Sequence, residues 1–390
     1  MKIYNLRQLL TIRNGKDHKN IVKGDIPIFG SGGLMRFGNQ YLYDKPSILL
    51  PRKGSLHNIQ FSKVPFWTVD TLYYTEIDDQ LVEPYFLYNY LKILDLKNLN
   101  TGTGVPSMTF ESYYNLKIVL PEINIQKEIA NILSDIDNKI DLNNQINDNL
   151  ERMAKLLYDY WFVQFDFPDE NGKPYKSSGG KMIWNDVLKR EIPEGWEFET
   201  IDSLGAITGG STPSKTIKEN FSNNCIPWIT PKDLSQNIGN KFITRGDLDV
   251  TERGLKEVSL NILPPRSVLM SSRAPIGYLA INRLECTTNQ GFKSVICNKE
   301  YPFEYVFYVL KQNMSSIEAN ASGSTFKEIS TAVLKTIKIL KPQKFIVNQF
   351  KNKVSVIFQQ QNNLEKQNQQ LSSFRDWLLP MLMNGQVKVE

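Results

Sequence analysis

Two stretches of the chain repeat their apolar positions every seven residues. In the first, Ile129, Ile136, Asn143, Leu150 and Leu157 form one row, and Ile132, Lys139, Ile146, Met153 and Tyr160 form a second. A shift of 221 residues gives the same two rows again, as Phe350, Ile357, Leu364, Leu371 and Leu378 beside Lys353, Gln360, Gln367, Phe374 and Met381. A seven-residue seam predicts a helix that packs lengthwise on another helix. At about 1.5 Å per residue, roughly 36 residues make a rod of about 54 Å. The seam residues expected to meet are Ile129, Ile132, Ile136, Ile146, Leu150 and Leu157 with Phe350, Ile357, Leu364, Leu371, Phe374 and Leu378. Lys139 and Asn143, aligned with Gln360 and Leu364, make the middle of the seam polar, which fixes register or partner at some cost in stability. The seam alone allows a homo-oligomer. The repeat favours pairing within one chain, because one chain supplies both helices.

The repeat extends upstream of each helix. NLKIVLP (115–121) aligns with TIKILKP (336–342), two strand-like runs ending in proline. IPIFGSGG (26–33) echoes IPWITPKD (226–233), and PSILLPRKGSL (46–56) echoes RSVLMSSRAPIG (266–277), each an apolar strand followed by a basic turn. GTG (102–104) and SGS (322–324) precede the last strand of each half. These patterns predict an α+β chain with an internal repeat, built from two strand-rich α/β domains and two long helices. The boundaries are a first domain at 1–121, helix one at 122–165, a linker at 166–192, a second domain at 193–342 and helix two at 343–385.

At 390 residues the chain exceeds the size at which one core stops growing, which agrees with two domains. Cys225, Cys286 and Cys297 include no CxxC pair and suggest neither a disulfide framework nor a zinc site, so no metal and no cofactor is expected. The absence of a leader pattern at Met1-Lys2-Ile3-Tyr4 and of a membrane-length apolar run leads to the expectation of a cytoplasmic protein. The net charge is +5. Lys and Arg outnumber Asp and Glu by 14 to 10 in residues 1–121, the largest local excess, which is compatible with phosphate contact without requiring it.

GGSTPSKT (209–216) nearly matches a nucleotide phosphate loop, but Ser214 stands where the final glycine must turn the backbone amides onto phosphate. Contact of Thr212, Ser214 and Lys215 with a DNA phosphate is the better reading. No glutamate lies two residues before a lysine, as a magnesium nuclease would need, and no motif for holding a flipped base is found. His18 and His57 are the only histidines. Arg and Lys pair with guanine, and Asn and Gln with adenine. The turns between strands therefore nominate Lys16, Arg36, Arg52, Lys53 and His57 in the first domain. In the second they nominate Lys215, Lys232, Ser272, Arg273, Asn289 and Gln290.

The end of helix one and the segment after it read YDYWFVQFDFPDENGKPYKSSGGKMIWNDVLKREIPEGWEFETIDSLGAITGGSTPSK (158–215). With ILLPRKGSL, TTNQGFKSVI and the ending LLPMLMNGQV, this resembles the specificity subunits of type I restriction-modification systems over nearly the whole chain. The resemblance implies two target-recognition domains, each reading one half of a split DNA sequence. It also implies an antiparallel coiled coil between them with pseudo-twofold symmetry. Such a chain is a non-catalytic DNA-binding subunit in defence against foreign DNA, docking two methyltransferase subunits and, through them, restriction subunits. The first domain, at 121 residues, starts almost at Met1 and is shorter than the second. The competing readings are a coiled-coil scaffold without DNA recognition and a self-sufficient DNA enzyme.

Overall fold

The computed structural model describes residues 2–54, 56–94, 96, 107–323 and 327–387. The GTG turn at 102–104 and Ser324 of the SGS turn lie outside these residues. The chain forms two compact units, Met1–Asp141 with Gln369–Glu390, and Leu142–Asn368.

The first unit contains β1 (Lys2–Asn5), β2 (Leu10–Asn14), β3 (Ile26–Gly30), β4 (Gly33–Gly38), β5 (Ser47–Pro51), β6 (Gln60–Ser62), β7 (Trp67–Thr68) and β8 (Leu72–Ile77). These are followed by α1 (Pro84–Ile93), α2 (Phe110–Tyr114), β9 (Lys117–Leu120) and the start of α3 (Ile123–Tyr158). One sheet has the order β2-β8-β5-β6, another β4-β3-β7, and β1 pairs with β9. All five residues of β5, SILLP, are buried, so both faces of this strand are covered. Such a strand reads as a continuous apolar run rather than an alternating one. Its one hydroxyl is satisfied, Ser47 Oγ donating to Thr75 O at 2.7 Å. Proline at the first turn of α1 and the Glu83 carboxylate accepting from Phe86 N fix where that helix begins.

The second unit continues α3, which widens into a π-turn at Asp159–Val163, short of the expected helix end at 165. There follow β10 (Met182–Asn185), β11 (Arg190–Pro193), β12 (Glu197–Thr200), β13 (Ala206–Gly209), β14 (Phe221–Ile229), α4 (Pro231–Gln236), β15 (Phe242–Ile243), β16 (Leu248–Val250) and α5 (Glu252–Glu257). The remainder is β17 (Val268–Ser272), β18 (Ile276–Asn282), β19 (Thr287–Thr288), β20 (Lys293–Ile296), α6 (Phe303–Gln312), α7 (Met314–Ala319), α8 (Thr331–Thr336), β21 (Lys338–Lys341) and α9 (Lys344–Met383). The sheets are β13-β20-β17-β18-β15 and β16-β14-β19, with β12 paired to β21 and β10 to β11. Parallel pairing of β14 with β19 sets Trp228 opposite Thr287 and Ile229 opposite Thr288. In the first unit β3 and β7 are likewise parallel, Ile28 opposite Trp67 and Phe29 opposite Thr68.

Within each unit a segment of α3 packs on a segment of α9. In the first, Ile129, Leu133 and Ile136 share a core with Leu378, Leu379 and Leu382. In the second, Ala154 and Tyr158 share one with Phe350, Val354 and Phe358. The row Ile129, Ile136, Leu150, Leu157, Phe350, Ile357, Leu364, Leu371 and Leu378 is buried or half-buried. The second row requires correction. Ile132 is half-buried, Ile146 is 39% exposed, and Met153 and Phe374 are exposed. The buried row runs one residue later, through Leu133, Asn147 and Ala154 in α3 and Val354, Gln361 and Leu382 in α9. A heptad alternates steps of three and four, and hydrophobicity alone prefers the large Ile146 and Met153 over the polar Asn147 and small Ala154 that occupy the seam. Lys139 and Gln360 are exposed. Asn143 is fully buried, its Nδ2 donating to Asn368 Oδ1 at 2.9 Å.

Candidate nucleic-acid interface

The two units hold their loops with the same backbone hydrogen bonds. After β2, Lys16 N donates to Thr68 O at 2.9 Å, and after β7, Val69 N donates to Phe29 O at 3.0 Å. After β13, Ser211 N donates to Thr288 O at 3.0 Å, and after β19, Asn289 N donates to Ile229 O at 3.1 Å. Beyond β5, Arg52 N binds Thr71 O at 2.9 Å and Arg52 O accepts from Met108 N at 3.0 Å; beyond β17, Ser272 N binds Gly291 O at 2.7 Å and Ser272 O accepts from Ile329 N at 3.1 Å. The close approach explains two glycines. A Cβ on Gly15 would lie 2.0 Å from Val69 O, and one on Gly210 1.9 Å from Thr288 O. Each loop is further tied by an indole from a different strand. Trp67 Nε1 donates to Lys16 O at 2.9 Å, and Trp228 Nε1 to Ser211 O at 3.1 Å.

On this frame the nominated residues have different fates. In the first unit Lys16, Lys53 and His57 are exposed. Arg52 donates from Nη1 to Asp70 O at 3.3 Å, and its guanidinium lies 6.0 Å from the Tyr73 ring centre. Arg36, expected to reach DNA, instead donates to His18 O, to Ile21 O at 3.1 Å and to His18 Nδ1 at 3.3 Å, so it braces the 18–21 loop. An open groove of about 780 Å³ lies among these loops, lined by Asp17, His18, Gly32, Leu34 and Asp70.

In the second unit the Thr212 hydroxyl donates to Gln290 Oε1. Lys215 Nζ lies 5.5 Å from the Trp228 ring centre. The Ser214 hydroxyl shares a hydrogen bond with Thr216 at 2.8 Å, and Ser214 N donates to Glu257 at 3.3 Å. Lys232 pairs with Asp247 at 2.6 Å, and that hydrogen bond with its charge raises the ammonium above its ordinary pKa. Arg273 and Lys293 converge on Glu328 at 3.3 and 3.4 Å. Asn289 Oδ1 accepts from Gly291 N at 2.9 Å, an Asx-type turn that fixes the loop. Ser272 is corrected: it is fully buried at the end of β17, its hydroxyl without a partner among the described residues, and it is closed to DNA. The sequence places it in a basic turn, whereas the strand continues one residue further.

A second polar constellation escapes sequence reading. The Lys241 ammonium is nearly buried and meets Glu151 of α3 at 2.6 Å, Gln361 of α9 at 2.7 Å and the Tyr308 hydroxyl at 3.1 Å. It also lies 3.8 Å from the Phe358 ring centre. Glu365 of α9 accepts from Lys241 N at 2.7 Å and Phe242 N at 3.0 Å and pairs with Arg283 at 2.8 Å. Burial pushes the Lys241 ammonium down to about 8, against the pull of Glu151. Burial alone would raise the Glu151 carboxyl, but Lys241 and Lys311 overcome it and hold it down at about 2. In the first unit Asp137 of α3 does similar work, accepting from the Tyr85 hydroxyl and pairing with Arg375 of α9 at 2.6 Å. Among the described residues no group of His, Cys, Asp and Glu is arranged to hold a metal, and no helix is long and apolar enough to cross a membrane.

Residues 1–152 and 193–371 match the family model described as type I restriction modification DNA specificity domain. The type I restriction enzyme MjaIX specificity subunit of Methanocaldococcus jannaschii is 38% identical over 210 residues, covering 51% of this chain and 48% of that protein. The chain thus spans about half the length of this relative. The HindI specificity subunit of Haemophilus influenzae is 29% identical over 331 residues, covering 72% and 71%. A crystal structure of a type I restriction-modification S subunit from M. genitalium superposes with a TM-score of 0.61 at 16% identity, over 98% of this chain and 95% of that one, and the two share a fold.

Proposed function

Because the chain belongs to the family of type I restriction modification DNA specificity domains, we propose that it is the specificity subunit of a type I restriction-modification complex, binding a split DNA target with one domain per half-site. The observation that carries this reading is the shared loop frame. Equivalent backbone hydrogen bonds hold loops whose side chains differ at nearly every position, which is the arrangement expected when one frame reads two different sequences. It supports an internal repeat with pseudo-twofold character and domains at 1–121 and 193–342. Lys16, Arg52, Lys53, His57, Lys215, Lys232, Arg273, Asn289 and Gln290 are the proposed DNA contacts, with Thr212, Ser214 and Lys215 at the phosphates.

The two long helices act as an antiparallel coiled coil that spaces the domains. Contacts within the second unit that run in opposite order along the two helices support this, Asn143 with Asn368, Asn147 with Gln361 and Tyr158 with Phe350. Half-sites read from one face of DNA lie about 34–36 Å apart, within reach of rods of about 54 Å. The outer helix faces keep apolar side chains in solvent, Leu142, Met153 and Leu156 on α3 and the stacked Phe374 and Trp377 on α9. These faces dock two methyltransferase subunits, and restriction subunits join through them in the cytoplasm. Catalysis resides in those partners. Genome-wide mapping of methylated bases in cells with and without this chain tests the proposal. A split motif that vanishes on deletion is expected, and a methylation pattern indifferent to deletion contradicts it.

A further inference from the structure

Resting on the reading just given, we propose that Asp70 is a base-reading residue of the first domain, selecting a G·C pair through the exocyclic amine of its cytosine. The loop frame supplies the argument. Thr68 and Thr288 accept from Lys16 N and Ser211 N, and the next residues, Val69 and Asn289, donate to Phe29 O and Ile229 O. One residue further along each loop stand Asp70 and Gln290. One residue beyond Lys16 and Ser211 stand Asp17 and Thr212. The pair Thr212 and Gln290 is therefore matched in the first unit by Asp17 and Asp70, both lining the same groove.

The chemistry at this place differs between the units. Thr212 occupies the Gln290 side-chain amide oxygen and so leaves the amide nitrogen as the group with which Gln290 can donate. Asp70 is exposed, and its carboxylate has no hydrogen-bond or ion-pair partner among the described residues. A carboxylate only accepts. Beside DNA it is repelled by phosphates and is tolerated where it meets an amine; in the major groove cytosine N4 is such an amine, whereas adenine sets the acceptor N7 beside its N6. Lys16 and Arg52, adjoining it in the same loop cluster, supply the positive charge that lets an acidic side chain approach the duplex. The loop carrying Asp70 is braced on both sides of that residue, Val69 N donating to Phe29 O, Arg52 N to Thr71 O and Arg52 Nη1 to Asp70 O. A search for cations and amides passes over Asp70, because acidic side chains are seldom sought in a DNA-binding surface.

The test is selection from a randomised duplex library by the full chain with its modification subunit, for the natural sequence and for Asp70→Ala, Asp70→Asn and Gln290→Ala. The natural chain is expected to select a split motif, and failure to do so overturns the specificity-subunit reading itself. Given that motif, Asp70→Ala is expected to relax one G·C base pair by roughly tenfold to a hundredfold and leave the other half-site intact. Gln290→Ala is expected to relax a position in the opposite half. Unchanged preferences in both Asp70 variants, a uniform loss of binding at all positions, or relaxation at an A·T pair alone overturns the assignment of Asp70 while the wider reading stands. Should the alanine variant fail to fold, the nearly isosteric Asp70→Asn decides.

Discussion

Glu151 shows how much of this molecule rests on single side chains. Its carboxylate faces two ammonium groups, Lys241 at 2.6 Å and Lys311 at 2.7 Å, and the first is almost wholly removed from water. Removing one partner of a buried ion pair leaves the other charge uncompensated. Glu151→Gln is therefore expected to lower the unfolding free energy of the second unit by about 3–5 kcal/mol, read by urea denaturation. A loss of under about 1 kcal/mol would show that Lys241 is held by Gln361, Tyr308 and the aromatic rings alone. The pH dependence has a definite sign. The Glu151 carboxyl sits at about 2 in the fold against 4.5 ordinarily, so the unfolded chain binds its proton first as pH falls. Its contribution is full above about 4.5 and is lost on the way down to about 2. Thermal melts across that window should decline, and Glu151→Gln should flatten the decline.

The long helices show what hydrophobic spacing conveys about an element and what it leaves open. The existence of α3 and α9, and the row holding Ile129, Ile136, Phe350 and Leu378, were legible because those positions are apolar and seven apart. The phase of the second row was not, since its members include Asn147, Ala154 and Gln361, which a hydrophobic pattern does not flag. Leu133→Ala, at a fully buried site, is expected to cost about 2–5 kcal/mol, whereas Ile146→Ala should cost under about 1 kcal/mol. Reversal of that order in chemical denaturation would restore the original seam. The reading loops were legible in part. Basic and amide residues marked their place, but only coordinates show that Arg36 turns inward and Ser272 lies buried. Lys241, Glu151 and Glu365 look like solvated charges in the sequence because their partners lie some 80 to 120 residues away or more.

At the scale of the whole molecule, charge and chemistry are divided. The first 121 residues carry the largest excess of Lys and Arg, 14 against 10, while the helices expose apolar side chains suited to protein partners. DNA affinity is thus expected to fall steeply with salt, and partner binding far less. Equal salt sensitivity of the two would contradict that division. In the function proposed, one chain carries two independent readers on a common frame. Residues 193–342 can be exchanged for the corresponding domain of another specificity subunit and the methylated bases mapped afterwards. A new sequence is expected in one half of the target, with the other half and the spacing unchanged; a change in both halves, or in neither, would show that the two readers are not independent.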